Sequence, residues 1–174
     1  MYQEIARQVL EIESKALDYI SNNLDSNFSE SINAILSTSA KTIICGMGKS
    51  GIIGKKIAAT FASTGTPSFF MHPGEAYHGD LGMVSPNDIF IALSNSGETD
   101  EVVKLIPFLK DNGNILISMT GNPQSTLAQA SDFHLNVGVE KEACPLQLAP
   151  TASTTAALAM GDALAVTLMK ARDF

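Results

Sequence analysis

The chain has 174 residues, of which 45% are hydrophobic and 17% are charged, which is enough for one domain with its own hydrophobic core. Its formal net charge of -7 argues against nucleic acid as the main partner, although a local site can still attract an anion. The two cysteines, Cys45 and Cys144, have neither the spacing of metal ligands nor that of a disulfide framework. No signal peptide is recognisable, and Asp162 interrupts the longest apolar stretch. We therefore expect a cytoplasmic protein with no membrane partner.

Two helices are predicted before the first strand. Apolar residues recur at helical spacing over residues 2–24, and a shorter pattern of the same kind covers residues 28–36. Such a pair of helices can cover the sheet of its own chain or contact a neighbouring subunit, and the pattern does not distinguish the two.

A glycine-rich turn follows the first predicted strand, residues 41–45, and reads Gly46-Met47-Gly48-Lys49-Ser50-Gly51. Its glycine spacing matches the dinucleotide-binding pattern, but the second strand ends in His72 instead of the acidic residue that would bind a ribose hydroxyl. It is not a P-loop either, because Ile43 stands where that motif requires its first glycine. A nucleotide is therefore disfavoured, and Lys49 is expected over the carboxyl ends of the strands, where such sheets bind ligands.

The loop after the second predicted strand, residues 68–71, is rich in ionisable side chains. From His72 to Met83 it contains two histidines, His72 and His78, with two acidic residues and three glycines. Histidines beside acids at the ligand end of a sheet favour a functional role over a purely structural one. These histidines could bind a zinc ion, but no third metal-binding residue is suitably spaced, so we predict no metal site.

The chain is organised around the stretch from Asp88 to Glu101. Its first half is a continuous apolar run, typical of a strand buried on both faces, and a helix is predicted to follow as far as residue 111. Between them lies the loop Ser94-Asn95-Ser96-Gly97-Glu98-Thr99, whose hydroxyls and backbone N–H groups suit a phosphate. The same residue types are also ordinary helix caps, so the loop alone does not decide between the two roles.

Alternation of strands and helices continues to the end of the chain. Further elements are predicted at residues 115–119 (strand), 125–130 (short helix), 133–139 (strand, with His134 as a structural residue) and from 150 onward (long helix). This order predicts a parallel sheet of about five strands with helices on both faces. Right-handed crossovers then place several candidate residues on one rim, the edge formed by the carboxyl ends of the strands. They are Lys49, His72, His78, Glu142 and the loop Ser94 to Thr99, here called the central loop.

These segments resemble the sugar isomerase (SIS) domain family, and most closely its D-arabinose-5-phosphate isomerases, along nearly the whole chain. The distinctive parts are Gly46 to Ser50, His72 to Met83, Ser94 to Glu98, Lys141 to Pro145, Leu148 to Thr151 and Met160 to Ala165. The resemblance implies a flavodoxin-like three-layer α/β sandwich and a homotetramer with sites near subunit interfaces, without an organic cofactor. It also implies interconversion of D-arabinose 5-phosphate and D-ribulose 5-phosphate, which feeds the synthesis of Kdo for lipopolysaccharide.

By position, the family's catalytic lysine falls on Lys49, its glutamates on Glu101 and Glu142, and a loop histidine on His78. The substrate-binding residues that the resemblance implies are Ser50, Gly65, Thr66, His72, His78, Ser94, Asn95, Ser96 and Thr99. Aldose–ketose exchange requires removal of a proton beside the carbonyl, for which Glu101 or Glu142 is the candidate base. Lys49 would stabilise the developing oxyanion.

The resemblance also implies that residues 1–174 form a single isomerase domain cut short at its C-terminus. Many relatives continue into paired CBS domains, and the family has a further catalytic histidine in a Ser-His-Pro-Gly-Gly segment that does not follow Lys170-Ala171-Arg172 here. Two alternatives stay open: a non-catalytic sugar-phosphate sensor on the same fold, and an isomerase of another sugar phosphate. Lys49, Glu101 and Glu142 together favour an enzyme, because a sensor needs only the phosphate loop.

Overall fold

The computed structural model of the protein describes all residues from Met1 to Phe174, and its centre is a five-stranded parallel sheet. The strands are β1 Thr42–Gly46, β2 Ser68–Met71, β3 Ile89–Leu93, β4 Ile115–Thr120 and β5 Phe133–Asn136. They lie in the order β2-β1-β3-β4-β5, which is the flavodoxin-like order with its switch point between β1 and β3. The predicted parallel sheet of about five strands is confirmed.

Helices cover both faces of this sheet and give the predicted three layers. They are α1 Tyr2–Asn22, α2 Ser26–Leu36, α3 Gly48–Ser63, α4 Pro73–Ala76, α5 Asp100–Val103, α6 Ile106–Asn112, α7 Thr126–Ala130 and α8 Ala152–Ala171, with a 3-10 turn at Asp80–Met83. The first three helices and α8 share one hydrophobic core with the sheet, whereas α4 to α7 share the other.

Alternate residues of each central strand supply the two cores. Ile44 and Ile91 face α3 and α8, whereas their chain neighbours Ile43 and Phe90 face the opposite layer, and all four are fully buried. Burial of a side chain of this size contributes roughly 1.5–3 kcal/mol. A strand buried on both faces is apolar at nearly every position, which explains the continuous apolar runs in the sequence.

Two predicted elements differ from the structure. The single helix predicted from the central loop to residue 111 is divided in two: Lys104 and Leu105 form a turn between α5 and α6, although their backbones stay in the right-handed helical region. Pro107, in the first turn of α6, has no N–H to donate to the carbonyl four residues earlier and its ring clashes with that carbonyl. The last strand is also shorter than predicted and ends at Asn136.

The N-terminal helices pack on this chain's own layers. α2 contacts β5 and α8, and α1 contacts α8, where Ala16 and Ile20 are buried. The outer face of α1 still exposes large apolar side chains, with Tyr2 81% and Leu10 67% exposed. The structure therefore assigns one face of α1 to the core and leaves another apolar face uncovered.

The C-terminal helix α8 is long and apolar enough, by length and composition alone, to cross a membrane, so Asp162 does not interrupt it as expected. In the structure α8 packs against α3, and a Cβ on Gly161 would lie 2.4 Å from the Ile57 side chain. Asp162 lies at its surface and pairs with Lys56 at 2.6 Å. Burial against α3 and the sheet accounts for the apolar composition of this helix.

Candidate functional site

A cavity of about 250 Å³ opens at the carboxyl ends of β1, β3, β4 and β5. Fourteen residues line it: Ser50, Ile53, Leu93, Ser94, Asn95, Met119, Val137, Glu142, Gln147, Leu148, Pro150, Ser153, Thr154 and Ala157. Connections leave β1 and β3 in opposite directions across the sheet, which makes this edge the place where doubly wound sheets bind ligands. Four of the predicted residues, Ser50, Ser94, Asn95 and Glu142, are thus brought together.

The central loop after β3 presents unpaired donors beside this cavity. The hydroxyl oxygens of Ser94 and Thr99 lie 2.7 Å apart in a hydrogen bond, and the Glu98 N–H donates to Ser96 Oγ at 3.1 Å. The backbone N–H groups of Asn95, Ser96 and Thr99 donate to no group within the chain. Unpaired N–H groups beside hydroxyls are suited to binding the oxygens of an anion such as a phosphate.

The shape of this loop depends on Gly97 and on contacts with α7. Gly97 has φ 70°, and a Cβ there would lie 2.0 Å from Ser125 Oγ, so both the backbone conformation and the space require glycine. The Glu98 carboxylate accepts hydrogen bonds from the backbone N–H and hydroxyl of Thr126 at 2.7 and 2.8 Å. These backbone and side-chain bonds hold the pKa of Glu98 below its ordinary value, so its charge is used to fix the loop.

Glu142 is the only ionisable residue that lines the cavity. Its Oε2 accepts hydrogen bonds from the Thr151 N–H at 2.7 Å, the Thr151 hydroxyl at 3.0 Å and the Ser153 N–H at 3.2 Å. These donors are at the first turn of α8, so the carboxylate caps this helix. Partial burial raises the pKa of Glu142, but the hydrogen bonds from Ser153 and Thr151 outweigh that effect and lower the pKa below its ordinary value.

Lys49 and Glu101 lie on the rim and outside the cavity lining. Lys49 is the second residue of α3, after Gly48 with φ 60°, and its neighbour Ser50 reaches the cavity. Glu101 is in α5 on the opposite face of the sheet. Both side chains are exposed and neither makes a hydrogen bond or an ion pair within the chain. Each is free to bind a ligand that extends beyond the cavity.

The two loop histidines follow the edge strand β2. His72 begins α4, and its Nδ1 accepts a hydrogen bond from the Gly74 N–H at 3.0 Å. His78 is exposed and its side chain has no partner. β1 separates β2 from β3, so the strands that lead to these histidines and to the central loop are roughly 10 Å apart, and neither histidine lines the cavity.

Gly65 and Thr66 lie on the side of the sheet where the amino ends of the strands are, opposite the cavity. They precede β2, so they are at the amino end of a strand whose carboxyl end leads to His72, which is up to roughly 20 Å from Thr66 along the chain. The Thr66 hydroxyl accepts a hydrogen bond from Arg172, and Gly65 lies against the ring of Phe174. Within one chain they do not reach the cavity, so their substrate-binding role stays a prediction that requires a second copy of the chain.

Several cavity residues were not predicted. Gln147, Leu148, Pro150, Ser153 and Thr154 come from the segment between β5 and α8 and from the first turn of α8. The sequence Pro150-Thr151-Ala152-Ser153-Thr154 did indicate hydroxyls near the rim, although none of these residues was named as substrate-binding. No spacing or residue type in the sequence singles out Gln147.

A larger groove of about 710 Å³ lies elsewhere, beside α1. Gln8, Glu11 and Lys15 line it, together with Val139 to Lys141 after β5. It contains none of the predicted site residues and lies away from the β1–β3 switch point. The smaller cavity is therefore the candidate site, because it lies at the switch point of the sheet and is lined by hydroxyls and a carboxylate.

Comparison with known proteins identifies the family of the chain. The SIS domain family model matches residues 35–167. The chain is 57% identical over 173 residues to arabinose 5-phosphate isomerase KdsD of Yersinia pestis, and equally to that of Escherichia coli (strain K12). A solved structure, that of E. coli CFT073 c3406 in complex with arabinose 5-phosphate, is similar with a TM-score of 0.95 and 44% identity.

The extent of these matches differs. The alignment covers 99% of this chain but 53% of each KdsD protein, so the chain spans about half the length of the curated relatives that it matches. The alignment with the solved structure covers 99% of this chain and 92% of that one. The domain itself is therefore matched almost end to end by a protein of similar size.

Proposed function

Since the chain belongs to the SIS domain family, we propose that it is an aldose–ketose isomerase that interconverts D-arabinose 5-phosphate and D-ribulose 5-phosphate. The observation that carries this proposal is the cavity at the switch point, which combines a loop with unpaired N–H donors and an oriented carboxylate, Glu142. A sugar phosphate has both the anion and the exchangeable protons that these groups suit. Residues 1–174 would act as a single domain in this role.

Phosphate binding is assigned to the central loop. The unpaired N–H groups of Asn95, Ser96 and Thr99 would donate to phosphate oxygens, with the hydroxyls of Ser50 and Ser94 beside them. This contact would be equal in the ground state and the transition state, so it fixes position and does not itself lower the barrier. It would hold the carbon atoms of the sugar near Glu142.

The reaction is a proton transfer and needs no redox cofactor. A base removes the proton from C2 of the aldose, the electrons form a C1–C2 double bond, and an enediolate results. The proton then returns to C1, the oxygen on C1 gains a proton and becomes a hydroxyl, and the oxygen on C2 loses its proton and becomes the ketone. Glu142 is the base that the cavity itself contains, and its hydrogen bonds favour the ionised form that can accept a proton.

Lys49 and Glu101 would contribute from the rim. Lys49 would stabilise the negative charge that develops on the carbonyl oxygen, and Glu101 would exchange protons between the two oxygens or serve as the alternative base. Both are exposed charges without partners, so neither would have to break an existing contact to bind the substrate. His78 and His72 are the candidates for ring opening.

Assembly and cellular role are part of the same proposal. We propose a cytoplasmic homotetramer. Association of subunits is supported by the large apolar residues exposed on the outer face of α1 and in the segment before α8, where Leu146 is 75% and Leu148 is 78% exposed. A second subunit could also bring Gly65 and Thr66 to a site that they cannot reach within one chain. The product would feed the synthesis of Kdo for lipopolysaccharide. Light scattering that shows a monomer at micromolar concentration would contradict this assembly.

The experiment that tests the proposal is a turnover assay on pentose, hexose and heptose phosphates. We expect D-arabinose 5-phosphate to be converted into D-ribulose 5-phosphate faster than any other aldose phosphate is isomerised. Conversion of a hexose or heptose phosphate alone would mean an isomerase with another substrate. Binding of sugar phosphates without any conversion would mean that the domain is a sensor.

A further inference from the structure

The segment between β5 and α8 has no helix or strand, yet one side chain holds its turn together. Gln147 Oε1 accepts a hydrogen bond from the Glu142 N–H at 2.8 Å. Gln147 Nε2 donates to the backbone carbonyls of Glu142 and Cys144, each at 2.9 Å. The amide therefore binds both backbone polar groups of Glu142 and uses its oxygen and both amide hydrogens within this segment.

The backbone of Gln147 adopts a conformation that a side chain disfavours. Its φ is 56°, and the only other non-glycine residue with a positive φ is Asp173 beside the C-terminus. Glycine would adopt this conformation without strain. Glycine would, however, remove the two side-chain hydrogen bonds to the Glu142 backbone and the one to the Cys144 carbonyl. The strained backbone at Gln147 therefore accompanies contacts that only its side chain makes.

Gln147 and the first turn of α8 hold Glu142 from two directions. The amide of Gln147 fixes its backbone, whereas Thr151 and Ser153 fix its carboxylate through Oε2. The Thr151 hydroxyl also accepts from the Ala143 N–H at 2.8 Å, which links the two contacts. No other ionisable residue lines the cavity, so the direction of this carboxylate decides where a proton can be accepted.

We propose that Gln147 is a positioning residue that keeps the Glu142 carboxylate aimed into the cavity for proton transfer, an inference that rests on the proposed isomerase activity. Because the oxygen and both amide hydrogens of Gln147 are engaged inside the segment, its removal should affect turnover more than substrate affinity. The segment would otherwise let the carboxylate move, and misplacement of a reacting group by about 1 Å can cost about 100-fold in rate.

Two variants of Gln147 distinguish the effect of losing its side-chain hydrogen bonds from the effect of relieving its backbone strain. Gln147→Met keeps the length of the side chain but removes its hydrogen bonds, and Gln147→Gly removes the side chain while relieving the strain. We expect both to lower kcat by about 10- to 100-fold with KM changed far less. Gln129→Ala is the matched control, because Gln129 also donates from its side chain to a backbone carbonyl, that of Pro123, but on α7 outside the cavity. Its kinetics should be unchanged.

A second measurement does not depend on turnover. The carboxyl carbon of Glu142, labelled with ¹³C and assigned by its absence in Glu142→Gln, can be titrated by NMR in the unaltered protein and in Gln147→Met. Hydrogen bonds hold the pKa of Glu142 below its ordinary value, so loosening them should raise this pKa in the variant. The acid limb of the pH–turnover profile should move to higher pH in parallel.

The outcomes distinguish this inference from the proposed function. An unchanged Glu142 pKa with unchanged kcat in Gln147→Met would overturn the positioning role and leave the isomerase activity standing. A raised KM with unchanged kcat would also overturn it, because Gln147 would then be a substrate contact. If the unaltered protein turns over no sugar phosphate, the proposed function fails, and with it the catalytic meaning of any pKa change at Glu142.

Discussion

Replacing Glu142 by glutamine should separate its two roles, capping α8 and accepting a proton. The amide oxygen of Glu142→Gln can still accept hydrogen bonds from Thr151 and Ser153, but the bonds lose their charge assistance and the favourable interaction with the helix dipole. Loss of a cap costs about 0.5–2 kcal/mol, and solvent screens this half-exposed charge, so we expect a loss of about 1 kcal/mol. For a domain of this length, that lowers Tm by about 2–4 °C.

The effect on catalysis should be far larger. A general base contributes about 100- to 10,000-fold, and an amide cannot accept the proton at neutral pH. We therefore expect a folded protein with Tm a few degrees lower and kcat reduced by at least about 100-fold. Glu13→Gln is the matched control, because Glu13 accepts a hydrogen bond at 3.0 Å from Thr155 in the same first turn of α8 but does not line the cavity.

The contribution of Glu142 to the free energy of unfolding should depend on pH. The folded pKa of Glu142 lies below its ordinary value of 4.5, so its contribution to stability is present above that value. The contribution is lost as pH falls from about 4.5 through the lower folded pKa. The difference in unfolding free energy between the unaltered protein and Glu142→Gln should be constant at neutral pH and shrink in this acidic window. Equal turnover of the two proteins at pH 7 would refute the assignment of Glu142 as a catalytic group.

Three further predictions concern the rim and the central loop. Lys49→Met should keep its Tm but lose about 100- to 1,000-fold in kcat, because oxyanion stabilisation is typically worth about 3–4 kcal/mol, and unchanged turnover would exclude this role. Ser96→Ala and Thr99→Val should raise KM with little effect on kcat, which steady-state kinetics would test. Gly97→Ala should lower Tm and abolish phosphate binding, measured by calorimetry, because its Cβ would overlap Ser125 Oγ; unimpaired binding would contradict the loop assignment.

The sheet and most of its helices could be predicted because each depends on a local signal. A strand buried on both faces is apolar at nearly every position, so Ile89 to Leu93 is recognisable without its neighbours. The break between α5 and α6 also had a local signal in Pro107, which the helical spacing of the neighbouring apolar residues outweighed. Alternation of strands and helices with right-handed crossovers indicated a parallel sheet with its loops on one rim, whereas the flavodoxin-like arrangement was implied only by the family resemblance.

The candidate site was less predictable, because it depends on contacts between distant segments. Loops after β1 and β3 had to meet at the switch point, so Ser50 and Ser94 could be placed together. The hydrogen bonds that orient Glu142 could not be predicted, because they come from Gln147 and from the turn before α8, whose path is irregular. Gln147 adopts a positive φ without being glycine or asparagine, so no residue preference indicates its conformation.

The most direct test of the account is isotope exchange at C2 of D-arabinose 5-phosphate in deuterium oxide, followed by NMR. An enediolate formed by the cavity carboxylate predicts deuterium at C1 of the D-ribulose 5-phosphate formed and at C2 of the remaining D-arabinose 5-phosphate, and conversion and exchange should slow together in Glu142→Gln. If the protein binds D-arabinose 5-phosphate but neither converts it nor exchanges the C2 proton, proton transfer at this cavity is contradicted.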